Sequence, residues 1–116
     1  MGRLGERFPR ASRLRRSREF QRAARLGQRI ASKHFIVLLM HRDPEKSGDS
    51  PRLGVTVSSR VGNAVVRNRV KRGIREWFRR SRALLDTQRD LVVIARQGAA
   101  TLKVREISQE LTEVLL

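Results

Sequence analysis

The stretch Arg60-Val61-Gly62-Asn63-Ala64-Val65-Val66-Arg67-Asn68-Arg69-Val70-Lys71-Arg72-Gly73-Ile74-Arg75-Glu76-Trp77-Phe78-Arg79-Arg80 superimposes two patterns on one segment. At about 100° per residue, Val66, Val70, Ile74, Trp77 and Phe78 fall within one arc of a helix. Asn68, Arg69, Lys71, Arg72, Arg75, Arg79 and Arg80 sweep the opposite arc. The first arc can pack on a core. The second presents a row of guanidinium forks, whose planar donors meet phosphate oxygens two at a time and whose flat faces stack on bases. Solvated helix faces normally mix signs, because like charges at neighbouring turns repel. Here Glu76 is the only acid among nine cations between residues 60 and 82, so the helix calls for a polyanion.

The rest of the chain agrees. Its 116 residues suffice for a single domain, read as residues 1–116, and 39% of them are hydrophobic, enough for one modest core. The formal net charge is +16. It is concentrated in two blocks: residues 1–42 hold 12 basic and 2 acidic side chains, and residues 60–82 hold 9 and 1. Residues 83–116, with 4 basic and 5 acidic side chains, are close to neutral. A uniform drift toward arginine does not produce that contrast; a nucleic-acid footprint does. The absence of cysteine excludes disulfides, zinc fingers, iron–sulfur clusters and thiol nucleophiles. The longest apolar run, Phe35 to Met40, has the length of a strand and not of a membrane span. No apolar segment of the secretory type follows the basic N-terminus, so a cytoplasmic protein without membrane contact is expected.

Residues 1–16 read as a basic, flexible arm. Ser17 as N-cap, Glu19 in the first turn and Gly27 as a stop predict a short helix over about 17–26. Residues 34–41 predict a strand. Asp43 to Pro51 is a surface loop by composition. Leu53 to Ser58 alternates as a half-buried strand does, and is expected antiparallel to the preceding strand across that loop. After a turn at 58–63, the basic helix runs from about 64 to 83. Asp90 to Ala95 predicts a third core strand. Thr101 is a candidate cap for a last helix in which Ile107, Leu111, Val114 and Leu115 share a side. The order α-β-β-α-β-α gives an α+β sandwich, a small sheet covered by helices.

Catalytic chemistry is sparse. Asp43, Glu45 and Asp49 belong to the loop, and Glu106, Glu110 and Glu113 read as the exposed side of the last helix, so no carboxylate cluster for a metal is expected. His34 and His41 are seven positions apart, which puts them on opposite faces of a strand and argues against an acid–base pair. No nucleophile elbow or phosphate-binding glycine motif is present. Neither a zipper nor a helix-turn-helix accompanies the basic helix, as DNA-reading helices usually require. An apolar sheet face beside a basic helix suits single-stranded RNA better.

On these residues the chain resembles the family of bacterial ribonuclease P protein subunits. The segment Gly62 to Arg72, with Arg67-Asn68-Arg69 at its centre, carries the resemblance, continued by Ile74 to Arg79. Arg52 to Ser58, Leu14 to Phe20 and Asp90 to Arg96 match in the family's order, over roughly residues 12–115. The resemblance implies a two-layer sandwich of the ribosomal-protein-domain-2-like type, with a left-handed β-α-β crossover, opposite to the usual hand. It implies a catalytic RNA as partner and precursor tRNA as substrate. Water cuts that substrate at the 5′ end of the mature sequence, with Mg2+ held mainly by RNA. The protein is then one subunit of an endoribonuclease. It supplies no catalytic or metal-binding residue, meets no DNA, and is a single copy within the RNA–protein complex. Arg60, Asn63, Arg67, Asn68, Arg69, Lys71, Arg72 and Arg75 are the implied RNA contacts. Phe20 and Phe35, with Val37, Val55 and Val57 as neighbours, are the implied cleft for the single-stranded 5′ leader. Ala24 and Leu38 stand where relatives often have aromatics, which shifts leader contacts toward charge and aliphatic packing. Two other readings share the charge pattern: a structural RNA-binding protein of ribosomal or chaperone type, and a free-standing nuclease.

Overall fold

The computed structural model describes residues 27–41, 51–85 and 89–115. The strands are β1 (Gln28–Ala31), β2 (Phe35–His41), β3 (Arg52–Thr56) and β4 (Arg89–Ala95), and the helices are α1 (Ala64–Ser81) and α2 (Val104–Leu115). Short 3-10 turns follow α1 at Arg82–Leu84 and precede α2 at Gln97–Thr101. The arm over 1–16, the predicted helix over 17–26 and the loop before Pro51 lie outside the described residues.

The four strands form one mixed sheet in the order β1-β2-β4-β3. β2 and β4 are apolar on both faces, as central strands must be, and they pair antiparallel with Val37 opposite Val93. β3 is parallel to β4, with Val55 opposite Val93, and α1 bridges the two as a β-α-β unit. The antiparallel pairing expected between β2 and β3 is therefore wrong, because β4 inserts between them. β3 is an edge strand, and on one face it offers only Arg52, Gly54 and Thr56. β1 is a strand that the sequence reading missed. It has one large apolar residue, Ile30, and becomes a strand by pairing with β2 over Gln28↔Leu39 to Ala31↔Ile36. Among the described residues the order is thus β-β-β-α-β-α.

Strand alternation sorts the sheet into two faces. Phe35, Val37, Leu53, Leu91 and Val93 meet Val70, Ile74, Trp77 and Phe78 of α1 and Ile107 and Leu111 of α2 in the main core. The other face carries a second cluster, with Leu38 and Val92 buried and Ile36, Met40 and Ile94 packed beside them. The helices come together where α1 has no side chain: a Cβ added at Gly73 meets Ile107 Cδ1 at 2.8 Å. Trp77 is buried beside this seam, and its indole N–H donates to Thr112 Oγ1 at 3.1 Å.

Polar pins hold the margins. Arg52 donates to Asp90 from Nε at 3.2 Å and Nη2 at 2.8 Å, locking β3 to β4 at the pair Arg52↔Asp90. Glu110 is not the exposed residue that helix periodicity suggested. Its carboxylate accepts from Ser32 Oγ at 2.5 Å, from the His34 backbone N–H at 2.8 Å and from His34 Nδ1 at 2.6 Å. Helix α2 is thereby fastened to the β1–β2 turn.

Burial alone raises the Glu110 pKa, but the hydrogen bonds from Ser32 and His34 outweigh it and hold the group below its ordinary 4.5. A depressed folded pKa stabilises the fold fully above that ordinary value, and the gain disappears as pH falls through the folded value. The melting temperature should fall as the solution is acidified below pH 4.5, and Glu110→Gln should remove part of that fall. Melting curves of both proteins across the acid range check this.

Candidate nucleic-acid interface

Helix α1 starts where an acceptor is available. Asn63 is extended, and its Oδ1 accepts from the Val66 N–H at 3.0 Å, an N-cap. Asn63 was expected as an RNA contact; its acceptor atom holds the helix start, and the residue as a whole is exposed. Asn63→Ala should cost about 1 kcal/mol, the usual worth of such a cap. A shift of the urea midpoint at constant slope measures that loss.

From this start the two arcs separate as the sequence predicted. Val70, Gly73, Ile74, Trp77, Phe78 and Ser81 are buried. Asn68, Arg69 and Arg72 are exposed, as is Arg60 in the preceding turn, while Lys71 and Arg75 are half-buried. Arg67 stands apart. It lies three positions before Val70 and seven before Ile74, at the edge of the apolar arc, and its Nε is buried with no hydrogen-bond partner. The Arg69 guanidinium donates to the Ala100 carbonyl, tying the ridge to the turn before α2.

The ridge's single acid is neutralised locally. Glu76 accepts from Arg79 at 2.6 and 3.1 Å and from Arg80 at 3.0 Å. The hydrogen bond from Arg79, with the charges of Arg79 and Arg80, overcomes the opposing effect of burial and lowers the Glu76 pKa. Arg79 and Arg80 also complement the negative end of the helix dipole in the last turn.

The implied leader cleft needs correction. Phe20 lies outside the described residues. Phe35 and Val37 are 0% exposed and Val57 is 6% exposed, all within the core beneath α1 and α2. Val55 is half-buried against the same core. Phe35 and Val37 have no surface to offer a ligand, and Val57 has little. The face that β2 turns away from α1 and α2 carries Ile36, Leu38 and Met40, with Val92 and Ile94 of β4 beside them. Of these, Leu38 and Val92 are buried, while Ile36, Met40 and Ile94 keep part of their surface. Sequence reasoning missed these three as site candidates, although period-two alternation already set them apart from Phe35 and Val37.

Among the described residues no group of three His, Asp or Glu side chains could hold a metal ion. Nor is any described helix long and apolar enough to cross a membrane.

A mixed four-stranded sheet, backed by two helices of which one bears an arginine-rich ridge, defines an α+β nucleic-acid-binding protein. The family model for ribonuclease P matches residues 8–116. The ribonuclease P protein component of Desulforapulum autotrophicum is 39% identical over 104 residues, covering 90% of this chain and 86% of the relative. The RNase P protein of Staphylococcus aureus superimposes with a TM-score of 0.79 at 36% identity, over 89% of this chain and 91% of that one. That of Thermotoga maritima gives 0.78 at 30% identity, over 89% and 94%. The chain belongs to the family of bacterial ribonuclease P protein components. It is the protein partner of a ribonuclease P RNA in an endoribonuclease that processes the 5′ end of precursor tRNA.

Proposed function

We propose that the two sides of the sheet divide the work of the holoenzyme. The ridge of Arg60, Asn63, Arg67, Asn68, Arg69, Lys71, Arg72 and Arg75 seats against the ribonuclease P RNA. The half-buried Ile36 and Met40, on the sheet face away from α1 and α2, face the 5′ leader of precursor tRNA. The observation that carries this reading is the ridge itself: exposed cations fill the side of α1 that the core leaves free. The buried, unpartnered Arg67 Nε supports it, because a phosphate oxygen would satisfy a donor that otherwise costs about 1–3 kcal/mol.

The protein's own chemistry is then countercharge and positioning. Guanidinium groups reduce repulsion where RNA phosphates crowd, and leader contacts favour precursor over mature tRNA. Mg2+ is held mainly by the RNA. One protein copy works in the cytoplasm, on RNA and not on DNA.

Reconstitution tests this reading. Added to a bacterial ribonuclease P RNA at low Mg2+, the chain should stimulate 5′ cleavage and strengthen binding of precursor more than of mature tRNA. Met40→Arg, at a half-buried position of that face, should change that preference. No stimulation refutes the cofactor role. Stimulation without precursor preference refutes the leader assignment and favours a purely structural RNA-binding protein.

A further inference from the structure

An open groove of ≈ 700 Å³ runs between α1 and α2. Its floor is the bare backbone of Gly73 and the edge of Trp77, and Val104, 42% exposed, forms one wall. Ser108 and Gln109 add a hydroxyl and an amide, and Arg80 and Arg105 place guanidinium groups at the rim. The Arg80 side chain is 71% exposed, and its Nε is fixed on Glu76 at 3.0 Å, so the charge is held at the groove mouth. Arg69, Arg72 or Gly73, Glu76 and Arg80 follow one another at helical steps of three and four, so the groove opens directly alongside the cation ridge.

We propose that this groove receives one unstacked nucleotide of the ribonuclease P RNA. The base lies against Val104; Ser108 and Gln109 meet its polar rim, and Arg80 and Arg105 take the flanking phosphates. An apolar wall with a few convergent polar groups is the chemistry of a base site, and RNA offers splayed bases at its loops and bulges. Charge complementarity selects a nucleic acid, since the groove's one acid is already neutralised by Arg79 and Arg80. The RNA subunit is chosen over the leader because the groove is on the helix side, away from Ile36 and Leu38. This inference rests on the reading of α1 as the surface that meets the RNA.

The absence of cysteine makes a clean test available. An iron–EDTA cleavage reagent is attached through Ser108→Cys, or through Val65→Cys as a ridge probe, Val65 being 77% exposed on α1. Each full-length protein is assembled with ribonuclease P RNA. The probe at 108 should cut around one unpaired nucleotide. Arg105→Ala should weaken those cuts and lower RNA affinity about tenfold, the scale of one hydrogen bond to a charged group. Cuts from 65 with none from 108, or cuts from 108 spread over paired RNA, overturn the groove site while the ridge reading stands. Cuts from 108 that fall in added precursor tRNA overturn the choice of RNA. Silence from both probes removes the ridge reading as well.

Discussion

Phe35→Ala should lower the free energy of unfolding by about 3–5 kcal/mol, the usual cost of emptying a buried phenylalanine site. The ring is fully enclosed among residues of β3, β4, α1 and α2. The loss combines transfer of the ring to water with a cavity that the surrounding sheet and helices fill only in part. Since a single domain is stable by only about 5–15 kcal/mol, the variant should be partly unfolded at physiological temperature. Urea unfolding gives the number directly. A variant of native stability that had lost only its preference for precursor tRNA would return Phe35 to the leader cleft and overturn the assignment of faces.

The second large effect concerns RNA. Arg60 and Arg72 are both exposed, so replacing both with alanine should leave the melting temperature nearly unchanged. Affinity for ribonuclease P RNA should fall roughly 50-fold near 0.1 M salt. The slope of log affinity against log salt should flatten by about 1.4–1.8, for two lost phosphate contacts. Filter binding across a salt series separates this from a folding defect, which would lower affinity without changing the slope. An unaltered slope would mean that these arginines meet no phosphate.

How much of this was readable from the sequence depends on how local each cause is. Helix α1 was legible to within a few residues at its end, because its apolar period and its arginines are written in one continuous segment. β2 and β4 were legible from their apolar runs. β1 was not, because Gln28-Arg29-Ile30-Ala31 has no strand signature of its own and owes its state to β2. The sheet order was hidden for the same reason: nothing near β3 says that a strand 38 positions later in the chain will be its neighbour. The site shows the same limit. Alternation grouped Phe35 with Val37 and set both apart from Ile36 and Leu38. Only the packing of α1 and α2 shows that Phe35 and Val37 are sealed completely. Glu110 looked solvated on its helix, and its partners Ser32 and His34 lie 78 and 76 positions away.

The close approach at Gly73 has a consequence for how this family's members fail. The bearing of the cation-rich helix is set by a bare α-carbon resting on Ile107, so the seam acts as a pivot for everything α1 displays outward. A bulky replacement at Gly73 tilts that display without removing a single charge. Screens that score tRNA maturation should therefore recover lesions at an interior position that carries no charge of its own.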